Sequence, residues 1–255
     1  MIPRLYTQSP LTAGAMVPLP PGQIHYLRHV LRRSGPEPLL LFNGRDGLWQ
    51  ATLDAQQACV QTQLACQPPP EPPLVLAFCV IKQSDWLVEK ATELGATRIM
   101  PLFSQHTSLR HFSAQRHQKI IHEACEQCGR LTLPQLDDAR PLGHFLQMLA
   151  PPHSQVAAVS DDHQVKSTLS QWVVLDPLSP HTLALPRPMP GTIQADNRGY
   201  GLLVGPEGGW APAERALFLA NQTLTLAHLG TRILRAETAA LAGLALLGWA
   251  MINQD

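Results

Sequence analysis

Charge is scarce in this 255-residue chain: 15% of its residues are Asp, Glu, Lys or Arg, and the 19 basic and 19 acidic ones cancel. A net charge of zero leaves no electrostatic footprint of a nucleic-acid partner. With 45% hydrophobic residues the chain can bury a core, which excludes wholesale disorder. Residues 1–66 carry five basic and three acidic residues. An excess that small is compatible with RNA binding but does not argue for it.

An apolar run of membrane length is missing too. Thr238 to Gln254 is uncharged, but its apolar core, Ala239 to Ile252, is 14 residues, short of the ~20 that a span needs. It predicts a helix buried in protein, with Ala239, Ala242, Gly243, Ala245 and Gly248 admitting close approach of other backbone. The five cysteines (Cys59, Cys66, Cys79, Cys125 and Cys128) form no regular framework and follow no signal peptide. The expectation is a reducing cytosol. Cys125 and Cys128 make a CxxC inside a helical pattern without a second ligand pair, so packing on the inner helix face is the default and no metal site is expected. No GK[ST] follows the one GPEGG loop, and GxGxxG, GxSxG and HExxH do not occur. There is no solenoid repeat and no low-complexity tail.

What is present concentrates between Gly201 and Ala240. Leu202-Leu203-Val204, bounded by glycines, predicts a short buried strand. Gly205-Pro206 stops it, and Gly208-Gly209 allow positive φ and close approach to a ligand. Pro212 and Glu214 then suit the first turn of a helix. Leu224 to Ala227 predicts another strand, followed by a glycine-bearing loop, His228 to Arg235, and the long helix from about Ala236. Glycine loops at strand C-terminal ends, each leading into a helix, are where open α/β sheets bind ligands. The charged groups of such a pocket are Glu207, Arg232, Arg235 and Glu237. The two arginines could grip phosphate through the guanidinium fork; equally, Arg235 and Glu237 could cap or pair at the start of the last helix.

Two units precede and carry this region. In the first, His25 to Arg32 has helical spacing, and Leu39–Phe42 and Leu48–Leu53 flank an Asn43-Gly44 pair as a hairpin. Arg28, Arg32 and Arg45 with His29 could form a basic face, or an ordinary solvated surface. Gln67 to Pro73 (QPPPEPP) is a semi-rigid linker, which divides the chain into 1–70 and 71–255. The second unit opens with Leu74–Val80, too apolar for a half-exposed strand. A helix capped by Ser84 and closing at Gly95, a strand at Arg98–Phe103 and a helix at Ser113–Gly129 follow, giving a mostly parallel α/β sheet. That last helix is predicted to bury Ile120, Ile121, Ala124, Cys125 and Cys128. Near its start His111, Arg116, His117, Lys119 and His122 form a basic cluster worth testing for phosphate contact. Beyond Pro141, Val156–Val159 and Trp172–Leu175 are strand candidates, and Asp176–Asn197 is a proline-rich loop.

Five separated segments now have a common likeness. LLVGPEGGW (202–210), LGTRILRAETAA (229–240), DWLVEKATELGATRIMPL (85–102), EACEQCGR (123–130) and the opening MIPRLY with HYLRHVLR (25–32) together resemble the bacterial 16S rRNA uridine-N3 methyltransferases of the SPOUT superfamily. The resemblance covers nearly the whole chain in order. Gln105-His106-Thr107-Ser108 departs from a more basic segment, and 155–171 has no counterpart. The likeness implies a SPOUT-type knotted parallel sheet flanked by helices and a small N-terminal β-rich, PUA-like RNA-binding domain. It further implies bound S-adenosyl-L-methionine, a homodimer, 16S rRNA of the small ribosomal subunit as partner, and a cytoplasmic setting. Carried over by motif, the cofactor residues are Leu175 (with Asp176 and Pro177), Leu203, Val204, Gly205, Pro206, Glu207, Gly208, Gly209, Leu229, Gly230, Ile233, Leu234, Arg235, Ala236, Thr238 and Ala239. Arg235, Glu237 and Glu207 are the catalytic candidates. The RNA-binding candidates are Arg4, Arg28, His29, Arg32, Arg45, Arg110, Arg116 and Arg232. The alternatives are a non-catalytic RNA-binding or ribosome-assembly protein, and a SPOUT methyltransferase acting on ribose 2′-OH or tRNA.

Overall fold

The structure, a computed structural model, describes residues 2–32, 36–149, 169–183 and 199–252. It separates into two compact units, 1–70 with 121–133, and 71–120 with 134–255.

The first unit is a five-stranded sheet in the order β1-β3-β4-β5-β2, from β1 (Arg4–Tyr6), β2 (Met16–Pro18), β3 (Pro38–Phe42), β4 (Leu48–Asp54) and β5 (Gln57–Ala65). β3 and β4 pair antiparallel. Their connection is a five-residue loop in which Asn43 Oδ1 accepts the amides of Arg45 and Asp46. Gly47 is required there: its φ is +81°, and a Cβ would lie 2.2 Å from the Ala65 carbonyl oxygen. The helix expected over 25–32 is instead α1 (Pro21–His25) followed by a π-helical turn, Tyr26–Val30, ending at Arg32 with φ +53°. Only Leu27 of that turn is buried, while Tyr26, Val30 and Leu31 are exposed. A turn this short buries one position, whatever the spacing around it suggests.

Segment 121–133 completes this unit. Tyr6 donates its amide to the Glu126 carboxylate at 2.8 Å and stacks on the His122 ring at 3.9 Å. Burial pushes Glu126 up from the ordinary glutamate range to about 7. The native state therefore holds a proton that the unfolded chain releases, and this group's contribution to stability falls as pH rises from about 4.5 to about 7. Glu126→Gln keeps an acceptor for Tyr6, so its denaturation midpoint is expected to lose part of that pH dependence and to exceed the wild-type value at alkaline pH. Equal pH dependence in the two proteins would contradict the assignment.

The second unit carries a parallel sheet of seven strands, in the order β12-β10-β11-β6-β7-β8, with β9 also pairing with β7. Its strands are β6 (Leu74–Cys79), β7 (Arg98–Phe103), β8 (Gln135–Leu136), β9 (Arg140–Pro141), β10 (Leu169–Leu175), β11 (Gly199–Val204) and β12 (Leu224–Ala227). The helices are α2 (Ser84–Glu93), α3 (Ala114–Cys128, whose residues from 121 on belong to the first unit), α4 (Leu142–Leu149), α5 (Pro212–Ala220) and α6 (Ala236–Ile252). All six residues of β6 and of β11 are buried, as strands covered on both faces must be. At Gly201 a Cβ would fall 2.3 Å from the Trp172 ring, so glycine lets β10 place its indole across β11.

Several expectations need correction. Ser84 does not cap α2: it is the first helical residue, and its hydroxyl donates to the Ile81 carbonyl while accepting the Ile81 amide. Cys125 is buried but Cys128 is exposed, so the CxxC does not share one inner face. His117 is buried beside Asp85, with Nε2 3.1 Å from a carboxylate oxygen, and stacks on Phe112. Arg116 also pairs with Asp85 but stays exposed, as do His111 and Lys119 of the expected basic cluster. Helix α6 is not buried all round: Ala240, Leu244, Leu247 and Ala250 face the core, whereas Ala245 and Trp249 are exposed. The strand expected at Val156–Val159 lies outside the described residues. Among the described residues, no helix is long and apolar enough to cross a membrane.

Candidate active site

Three neighbouring parallel strands end together. Leu175 of β10 is level with Val204 of β11 on one side and Ala227 of β12 on the other. The loops that leave these ends wrap a cavity of about 310 Å³ lined by Leu175–Pro177, Val204–Glu207, Gly209–Trp210, His228–Gly230, Arg232–Ala236 and Ala239. The pocket therefore forms at the strand C-terminal edge, where main-chain N–H and C=O groups emerge unpaired from the sheet.

Each loop is pinned. Trp210 donates its indole N–H to the Leu175 carbonyl at 2.9 Å and packs edge-on against Phe218 at 4.8 Å. That fastens the 205–211 loop to the end of β10. Within it the Gly209 amide closes a turn on the Pro206 carbonyl, with Gly209 at φ +69°. A Cβ on Gly205 would lie 3.0 Å from the Trp210 ring, so the close approach needs the missing side chain. Buried Asp176 accepts from Arg215 at 2.6 Å and from the Leu178 amide, tying the 176–183 loop to α5. The main chains of His181 and Leu183 bond that of His228, and Thr182 contacts the His228 ring. Gly230, at φ +98°, turns the third loop back toward α6.

A second cleft of about 500 Å³ is lined by Lys82, Gln83, His106, Ser108, Glu207, Gly208, Arg235 and Glu237. Glu207 and Arg235 line both spaces. Glu237 is buried in the first turn of α6, whereas Arg235 and Glu207 are exposed. The apolar, glycine-bordered cavity suits a flat organic group held by main chain. The charged cleft suits a polar reactant, and the shared residues stand where the two would meet.

Most of the residues anticipated for the cofactor line the first cavity, with three exceptions. Leu203 is fully buried in β11, Thr238 is exposed on α6 outside both linings, and Gly208 lines the second cleft. Trp210, His228, Lys82, Gln83, His106 and Ser108 were not anticipated as site residues. Lys82 and His106 follow β6 and β7, and no spacing in the sequence joins them to Glu207; only sheet order does. Among the RNA candidates, Arg28 donates to the Ala55 carbonyl and Arg45 to that of Gln8. The Arg4 guanidinium packs over Gly129, where a Cβ would lie 2.4 Å from Nη1. His29, Arg32, Arg110 and Arg232 are exposed. No group of three or more metal-ligating side chains occurs among the described residues.

Comparison with known proteins agrees with this geometry. Residues 68–248 match the model of an RNA methyltransferase domain. The chain is 30% identical over 249 residues to the ribosomal RNA small subunit methyltransferase E of Rickettsia conorii, spanning 95% of this chain and 93% of the relative. A proposed methyltransferase from Legionella pneumophila, solved with SAM bound as its cofactor, superposes with a TM-score of 0.76 at 25% identity over 98% of both chains. The ribosomal RNA small subunit methyltransferase E of Neisseria gonorrhoeae, bound to S-adenosyl methionine, gives a TM-score of 0.69 at 27% identity over 96% of each. A glycine-lined cavity at three strand ends, a charged cleft sharing its wall, and these full-length likenesses lead to one assignment: the chain belongs to the RNA methyltransferase domain family, with the ribosomal RNA small subunit methyltransferase E proteins.

Proposed function

We propose that this protein transfers a methyl group from S-adenosyl-L-methionine to N3 of a uridine in 16S rRNA of the small ribosomal subunit. The carrying observation is the pair of adjoining spaces that share Arg235 and Glu207. The first cavity fits an adenosyl group: its volume lies in the small-molecule range, and Gly205, Gly209 and Gly230 keep its rim free of side chains. Leu175, Val204–Pro206, Leu229–Gly230 and Ile233–Ala236 would hold the cofactor, which supplies a sulfonium-activated methyl group. The second cleft takes the base.

Uridine N3 is a weakly acidic imide and becomes nucleophilic as its proton leaves. Much of the rate then comes from holding two reactants in line, and more from a cation placed where negative charge develops on the ring. Arg235 is placed for that role. Glu237 and Glu207 are the carboxylates that line the same cleft. The base must leave its stack to enter.

The rest of the reading concerns assembly. The first unit is taken as a PUA-like RNA-binding domain, with the domain boundary at 70/71, and the second as a SPOUT-type knotted domain working in the cytoplasm. A second copy of the chain would cover the exposed apolar face of α6 around Ala245 and Trp249, a pairing supported by that face being uncharged. In the intact protein, replacing Arg28, Arg32 and Arg45 together by Gln is expected to weaken RNA binding and to lower the slope of log K against log salt by about one for each phosphate no longer neutralised. An unchanged slope would rule out phosphate binding by these three.

Nucleoside analysis of small-subunit RNA after incubation with methyl-labelled donor tests the whole proposal. 3-Methyluridine is expected. Label on ribose 2′-OH, or none, would overturn it.

A further inference from the structure

We propose that His106, rather than either carboxylate, accepts the uridine N3 proton, because the 208–209 loop fixes its ring with Nε2 as a proton acceptor in the second cleft. The inference rests on the methyl-transfer reading above and concerns a residue to which that reading gives no role.

The geometry is simple. His106 Nδ1 lies 3.2 Å from the Gly208 carbonyl oxygen and 3.1 Å from that of Gly209. Both partners can only accept, so Nδ1 must carry the hydrogen. In a neutral imidazole the lone pair then belongs to Nε2. No hydrogen bond among the described residues uses Nε2, and the residue lines the cleft of about 500 Å³. The backbone carrying the ring is held as well: the Gln105 amide donates to the Glu214 carboxylate at 2.8 Å, and the other Glu214 oxygen accepts the Ala211 amide at 2.9 Å. Ser104 and Thr107, on either side, are buried and bonded to each other. A base oriented by main-chain carbonyls, on a loop tied to α5, needs little reorganisation at the moment of reaction.

The charged groups facing this ring in the cleft are Lys82, Glu207, Arg235 and Glu237. Glu207 is exposed, and Glu237 is buried in the first turn of α6. A proton taken by either carboxylate leaves a neutral acid beside the anion forming on the base. A proton taken by His106 creates a cation beside the anion forming on the base. As the N3–H bond breaks, its proton passes to Nε2 and the electron pair left on N3 forms the new N–C bond. The methyl carbon's bond to sulfur breaks with its pair going to sulfur. The donor's positive charge thus ends on the imidazolium, which later loses its proton to water.

Three measurements on the intact protein test this. In ¹H–¹⁵N spectra without added cofactor, at mildly alkaline pH, His106 is expected as the Nδ1–H tautomer; an Nε2–H tautomer would overturn the proposal. His106→Asn keeps a donor for the two carbonyls and removes the acceptor. It is expected to lower methyl transfer by about 10²- to 10⁴-fold and to abolish the rise of rate with pH, while calorimetric affinity for S-adenosylmethionine stays unchanged. Wild-type rate in that variant would overturn it. So would parallel loss of rate and cofactor affinity, since that marks a mere loop tie. Glu207→Gln and Glu237→Gln should keep the pH-dependent rise; its disappearance in either would move the role to that carboxylate. If the wild-type protein itself transfers no methyl to small-subunit RNA, the functional reading fails too. If wild type transfers and His106→Asn matches it, only this inference fails.

Discussion

Arg235→Ala is expected to lower kcat for methyl transfer by about 10²- to 10³-fold, the loss typical when one preorganised donor to a developing anion is removed. The affinity for S-adenosylmethionine should change little. Arg235 lines both the cofactor cavity and the charged cleft, but the cavity wall is mostly main chain and apolar side chains, which the substitution leaves in place. The cleft would then contain Lys82 as its remaining cation among the described lining residues. Arg235→Lys should recover part of the rate, because it restores the charge without the planar fork. The measurement is steady-state methylation of small-subunit RNA alongside calorimetry with the cofactor. An unchanged kcat would remove Arg235 from the chemistry. A collapse of cofactor affinity would make it a binding residue instead.

The second large effect is structural. Trp210→Ala should destabilise the protein by about 3–5 kcal/mol, the range for deleting a buried large aromatic, and should abolish tight cofactor binding. One indole does two jobs here. It fills the space against Phe218, and its N–H holds the Leu175 carbonyl at the end of β10. Trp210→Phe separates the two. It keeps most of the ring packing and removes the hydrogen bond, at about 1 kcal/mol, so it should fold well while binding cofactor more weakly than wild type. Urea midpoints and calorimetry on the two variants check this. An alanine variant of wild-type stability would mean that the 205–211 loop is held by something else.

These two residues also show how far the sequence could be read. The uncharged run of β6 predicts a strand buried on both faces, and all six of its residues are buried. The GPEGG loop and the later glycine loop were legible as turns at strand ends, since glycine spacing and proline stops act locally. Trp210 was visible only as part of a motif; its bond to Leu175 crosses 35 positions and depends on β10 and β11 being neighbours. His106 is further removed, 102 positions from Gly208, and nothing local marks it as a site residue. Local rules also failed where two partners compete. A serine before a helix suggests a cap, yet Ser84 bonds Ile81 and enters the helix. An uncharged C-terminal helix suggests complete burial, yet α6 leaves Trp249 57% exposed, because composition does not distinguish a face turned to the core from a face turned away from it. The histidines around α3 read as a basic cluster worth testing for phosphate contact, but His117 is buried against Phe112 and Asp85, while Arg116 pairs with Asp85 and stays exposed.

The account stands on main chain enclosing a methyl donor at the ends of β10, β11 and β12. A crystal structure of the protein soaked with S-adenosylmethionine tests that most directly. The expected result is the adenosyl group seated against Val204–Pro206, Leu229–Gly230 and Ile233–Ala236, with its methyl directed toward Arg235 and the charged cleft. Density for the donor elsewhere on the molecule, or a soaked crystal with none between those loops, would contradict it.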